Sequence, residues 1–332
     1  MKINWSRFNH PRLKWYIKLG FLALAVVILI RLGALNRSLF ASVHLDFSRV
    51  LISIICVTGI ALLLSWRWLT ILSGADIRCS YGRLCRIVFI GFFYNIIFPG
   101  GTGYDGALIF YAVNEHIGAR TLAGCSVLLD RFFGIITLLV IFVIALFHLS
   151  LMGEVAFPLE RVIIAVVAFF CIGVLMIVAV GKILKQVRLA SFSIRGFYIK
   201  DLLRLWPKRR NLIIIAALSM VICSLTIFNM INCAFTLGYK DINIPLWLAV
   251  IPIALLANQI PLTPGGLGFG EFSMFALLGL TNAGQNLNPG AVVFFLYRIT
   301  FYLLAIPGAI LLILDSFTGR NVDQVSNVDV PR

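Results

Sequence analysis

A chain of 332 residues that is 61% hydrophobic and 12% charged, with a mean hydropathy of +1.01, carries more apolar surface than a soluble core of that size can hide. Its formal net charge is +15, yet the basic residues lie between long apolar stretches rather than along a polar face. That placement excludes nucleic acid as the partner and points to membrane lipids, with the charge set by topology and anionic headgroups.

Taken in order, the chain opens on a basic leader from Met1 to Lys18, and no A-x-A-like site closes the apolar stretch that follows. It therefore reads as an anchored first helix, not a cleaved signal. About 20 apolar residues cross a bilayer. On that measure full spans are expected near 15–33, 48–66, 120–148, 162–181, 212–238 and 290–314. Two further apolar segments, 84–113 and 244–280, are interrupted by proline and glycine. Each reads as two half-membrane arms meeting at an unwound turn, which is tolerated at membrane depth only inside protein or beside a polar cavity.

The two interruptions repeat one phrase. Pro99-Gly100-Gly101-Thr102-Gly103 stands in the first and Pro264-Gly265-Gly266-Leu267-Gly268, with Pro261 just before it, in the second. Asn95 and Asn258 precede them, Asp105 and Glu271 follow, and a lone arginine sits deep in each next apolar stretch, Arg131 and Arg298. Breaks at matching places in two halves mark a transport site between repeats.

Charge counting orients the layout. With a cytoplasmic N-terminus and both broken segments re-entrant, 21 of the 28 Lys and Arg residues fall on the cytoplasmic side, Arg67 among them, against five outside. Arg131 and Arg298 remain within the membrane. Three full spans separate the broken segments, so the halves have inverted topology. The expected fold is thus all-α and integral to the cytoplasmic membrane, with six full spans and two re-entrant broken helices in an inverted repeat. Both termini are cytoplasmic; one domain covers 1–318 and a short tail 319–332.

Ionisable groups in apolar stretches are costly and mark function by default. Here they are Asp105, Asp130, Arg131, Glu271 and Arg298. One reading pairs Asp105 with Arg131 and Glu271 with Arg298 as structural locks. Asp130 and Arg131 are helix neighbours about 100° apart and cannot face each other, so each needs a partner elsewhere. The other reading gives Arg131 and Arg298 a lipid phosphate, which guanidinium forks match. Helix N-termini after Gly103 and Gly268 would add N–H donors. Asp105, Asp130 and Glu271 would then gate the site, as ion pairs or by taking protons. The seven cysteines and four histidines are scattered without metal-ligand or C-x-x-C spacing, so neither a metal, a cofactor nor a disulfide framework is expected. The basic stretch 182–210, with interspersed aromatics, reads as a positive-inside loop on the inner leaflet.

Several of these blocks are diagnostic together: Asn95 with Pro99 to Asp105, Ser126-Val127-Leu128-Leu129-Asp130-Arg131-Phe132-Phe133-Gly134, Pro261 to Gly268, Glu271, and Tyr297-Arg298. Through them the chain resembles the lysylphosphatidylglycerol synthase transmembrane region, the flippase-like domain family. The resemblance implies an envelope membrane protein that moves aminoacylated, polyprenyl-linked or glycan-linked lipids between leaflets. The aminoacyl-transferase domain of the synthases is expected to be absent, so lysyl transfer and enzymatic activity are not expected. An anionic-lipid translocator is the leading expectation. The alternatives are a non-catalytic membrane partner of a lipid or glycan synthase, and a membrane-embedded transferase acting on a lipid carrier.

Overall fold

The computed structural model describes residues 46–74, 77, 79–98, 102–115, 120–152, 207–239, 242–259, 268–281 and 289–317. The expected spans at 15–33 and 162–181, nearly all of the basic 182–210 stretch, and the tail from 319 lie outside the described residues. So do Pro99, Gly100, Gly101, Pro261, Pro264, Gly265 and Gly266.

Among the described residues the regular structure is helical. In chain order the helices are α1 (Phe47–Gly74), α2 (Tyr81–Ile97), α3 (Thr102–Glu115), α4 (Arg120–Leu151) and α5 (Arg209–Thr236). They are followed by α6 (Ile244–Ala257), α7 (Phe269–Thr281), α8 (Gly290–Tyr302) and α9 (Ala305–Phe317). Phe47–Gly74, Gly124–Leu151, Arg209–Thr236 and the stretch Gly290–Leu314 are long and apolar enough to cross a membrane. One order of elements occurs twice. A long helix (α1, α5) is followed by two short arms around a break (α2 and α3; α6 and α7), and then by a helix carrying the arginine (α4, α8).

Local chemistry sets these boundaries. The Ser80 side chain caps α2 by accepting from the Arg83 N–H, and Asn243 caps α6 by accepting from the Leu246 N–H, with Pro245 in the first turn. Inside the helices, hydroxyls of Ser65, Thr137, Thr226 and Thr236 donate to carbonyls one turn back, so each is satisfied without water. The expected single span at 290–314 is divided at Leu303 and Leu304. Pro307 has no N–H for the carbonyl of Leu303, which takes the Ile306 N–H instead, and the ladder tightens there before α9 resumes.

Packing crosses between the halves. α1 lies along α5, α4 along α6, and α2 along α9. Asn232 of α5 donates to the Arg49 carbonyl and to Ser53 Oγ of α1, and Trp68 Nε1 of α1 donates to Ser126 Oγ of α4. The core has two main parts. One gathers mainly residues of α1 to α4, among them Val57, Trp68, Ile87, Leu108 and Val127; the other gathers mainly residues of α5 to α8, among them Ile227, Ile251, Met274 and Phe294. Phe301 touches both.

Close approach fixes the arms. Gly103, at the start of α3, stands where a Cβ would collide with the Tyr94 carbonyl of α2. Gly268 enters α7 at φ 92°, in the left-handed region that favours glycine. Gly103 and Gly268 therefore serve backbone geometry in two different ways, the first by close contact and the second by conformation.

Candidate functional site

α4 presents two adjacent charges in two directions. Asp130 faces α1, where Arg67 Nε donates to its Oδ1 at 2.6 Å and Arg67 Nη2 to its Oδ2 at 2.7 Å. Arg67 Nη1 also donates to Ser219 Oγ of α5 at 3.1 Å. The side chains of Arg67 and Asp130 are 5% and 6% exposed, so this bidentate pair is fully enclosed. Removing either member would strand a buried charge.

This pair corrects one expectation. The apolar run seemed to end near residue 66, which put Arg67 among the cytoplasmic loop residues. The helix instead continues to Gly74, and Arg67 lies buried within it. The available signals were the apolar Trp68-Leu69 and Ile71-Leu72 that follow Arg67 and the lack of a sequence partner for Asp130.

Arg131 faces α3. Its Nε donates to Asp105 Oδ1 at 2.6 Å, and its guanidinium lies 5.2 Å from the Tyr104 ring centre. Nη1 reaches across to Gln259 Oε1, just beyond α6, at 3.5 Å. Both members of the Arg131–Asp105 pair are 30% exposed.

The second break builds a closed version. Arg298 Nε donates to Glu271 Oε1 at 2.7 Å, and its Nη2 donates to Glu271 Oε2 at 3.0 Å and to Asn258 Oδ1 at 2.8 Å. Glu271 Oε2 also accepts the Gly268 N–H at 2.8 Å. That bond is a cap: an acid in the first turn takes an orphan donor of its own helix. Arg298 and Glu271 are 6% and 2% exposed, and the Phe294 ring centre lies 5.5 Å from the guanidinium.

These groups meet at one cavity of about 380 Å³, within the usual size range of ligand sites. Arg67, Arg131, Arg298, Asp105 and Asp130 line it, as do Asn95 and Asn258. Glu271 does not line it and holds Arg298 from behind. An aromatic wall links the two motif arginines: Tyr104, Phe92, Phe301, Tyr297 and Phe294 follow one another with ring centres 4.9–6.0 Å apart. Of the described site residues, Gly103 and Gly268 shape the arms rather than the lining. Sequence reasoning did not place Arg67, Ser219, Tyr104 or Gln259 at the site.

Long apolar helices folded around buried arginine–carboxylate pairs define a multi-pass α-helical membrane protein. The chain belongs to the lysylphosphatidylglycerol synthase transmembrane-region family, whose sequence profile matches residues 15–308. It is also similar to a UPF0104 membrane protein of Pyrococcus horikoshii, 24% identical over 280 residues, which takes in 76% of this chain and 83% of that one.

Proposed function

We propose that this protein moves a lipid with an anionic phosphate, a phospholipid or a polyprenyl-phosphate- or glycan-linked lipid, between the leaflets of the cytoplasmic membrane. One observation carries the reading: the arms flanking both breaks and the arginines of both halves line one cavity, largely apolar and walled by aromatic rings, into which these charged groups are set. A headgroup crossing the membrane needs such a shelter, because bare charge in the bilayer core costs about 2.5–3.5 kcal/mol on insertion scales. Arg131 takes the phosphate first, since its guanidinium edge is partly open, and Asp105 is the counterion it exchanges.

The doubled order of long helix, broken arms and arginine helix supports an inverted repeat with re-entrant arms, in which the cavity opens to each side in turn. Transport of this kind asks for binding and exchange, not covalent chemistry, so we take the protein to be a non-enzymatic translocator.

The test is lipid movement in proteoliposomes, with fluorescent phospholipids and a polyprenyl phosphate. The native chain should speed movement and Arg131→Ala should abolish it while still inserting. Correctly inserted native protein that moves no lipid would overturn the reading in favour of a docking partner for a lipid or glycan synthase. Turnover of a lipid in detergent, where no leaflets exist, would instead favour an enzyme.

A further inference from the structure

The first break contains an acceptor without a donor, and the second break shows what that donor would be. Asn258, at the end of α6, accepts on its Oδ1 from Arg298 Nη2 at 2.8 Å, while Glu271 holds the rest of that guanidinium. Asn95 occupies the matching place in the last turn of α2, and its Oδ1 is buried with no hydrogen-bond partner. Arg131 has its acid in the corresponding relation, Asp105 on Nε, yet its Nη1 goes to Gln259 of the other half. At 3.5 Å that contact sits at the outer limit of a hydrogen bond.

A buried carbonyl without a donor is held against a desolvation penalty, so such groups are rare and call for a reason. Here the reason is within the same cavity, since Asn95, Arg131 and Gln259 all line it. Neighbouring contacts keep α2 and α3 in register: Gly103 lies against Tyr94, and the Tyr104 ring sits both below the Arg131 guanidinium and against Gly91. Between arms held in register, the Arg131 guanidinium keeps a single short bond, to Asp105.

We propose that Asn95 is a second seat for the Arg131 guanidinium, and that Asn95 and Gln259 are the positioning residues between which it moves. On Gln259 the guanidinium is turned across the cavity, towards an incoming phosphate. On Asn95 it is drawn back, and the first break becomes a copy of the closed Asn258–Arg298–Glu271 arrangement. The functional consequence rests on Arg131 being the phosphate ligand; the seating itself does not.

The seating is tested without ligand, by thermal unfolding in detergent of the full chain, Asn95→Leu, Gln259→Leu and the double variant. Each single change leaves one seat, so Tm should stay within about 2 °C of native, while the double should fall by clearly more than the sum, about 4 °C or more. Additive effects, or a large drop for Asn95→Leu alone, would overturn the proposal.

The consequence is tested by titrating the same four proteins with short-chain phosphatidylglycerol. Gln259→Leu should weaken binding by about tenfold, because the guanidinium then rests on Asn95 and the receptive pose becomes rare. Adding Asn95→Leu should restore most of that loss, a rescue that a purely structural role forbids. If the double variant binds no better than Gln259→Leu, the seat is not coupled to the ligand and the proposal fails. If even the native chain binds no phosphate lipid, the translocator reading falls, and the thermal cycle still decides the seating.

Discussion

The two breaks carry one motif and use it differently. At the second, Arg298 is held by both oxygens of Glu271 and by Asn258, and the pair is almost fully enclosed. At the first, Arg131 makes one short bond to Asp105, leans weakly on Gln259, and leaves Asn95 unsatisfied, with both charges about a third exposed. Similar residues, with Asp105 in one half where Glu271 stands in the other, thus hold one arginine closed and leave the other partly open. The difference comes from how much of each guanidinium edge is already committed, not from the presence of the charges.

The closed pair should be the harder to break. Glu271→Ala removes the carboxylate that satisfies Arg298 and also the cap on the Gly268 N–H, leaving an arginine with 6% exposed side chain short of its counterion. Stranding one member of a buried pair costs about 3–5 kcal/mol. Thermal unfolding in detergent should record a large fall in Tm, with a much reduced yield of monodisperse protein. A variant as stable as the native chain would show that the second break is not a lock.

A smaller effect tests how the lock is aimed. Gly270, in the first turn of α7, stands where a Cβ would run into the Phe294 ring and lie 3.0 Å from Asn258 Oδ1. Gly270→Ala should therefore push two of the groups around Arg298, Phe294 and Asn258, without touching its ion pair with Glu271, at an overpacking cost of about 1–3 kcal/mol. Lipid movement should fall with stability here. Loss of movement at native stability would mean that the second break also exchanges with ligand, which would erase the distinction between the halves.

Much of this arrangement is legible in the sequence. The Pro/Gly phrases at 99–103 and 264–268 mark the interruptions, and their flanking acids and arginines form the two expected pairs, Asp105 with Arg131 and Glu271 with Arg298. What escaped was long-range. Arg67 reads as the end of a span because hydropathy falls at Trp66-Arg67-Trp68, whereas its carboxylate partner lies 63 residues away. Pro307 escaped because the apolar run continues through it, and only the backbone ladder registers the missing N–H. The asymmetry of the breaks escaped for a related reason. It depends on which way an arginine leans, and Gln259, next to Asn258, carries no mark in sequence that it serves the opposite half.

The smallest stability effect should come from the open pair, and it separates the halves most sharply. Asp105→Ala leaves Arg131 about a third exposed, with the Tyr104 ring beneath it and Gln259 within reach. A partly solvated ion pair contributes at most about 1 kcal/mol, so Tm should move by only a few degrees. The effect on transport should be out of proportion to that. On the proposed translocator reading, without Asp105 the guanidinium loses the counterion that a phosphate would displace on entry and that would reclaim Arg131 on exit. Binding of short-chain phosphatidylglycerol should then tighten while movement between leaflets slows, since release becomes the difficult step. Tighter binding with slower movement is the signature of exchange. Unchanged binding with a large stability loss would instead make the first break a second lock, and the contrast between the halves would disappear.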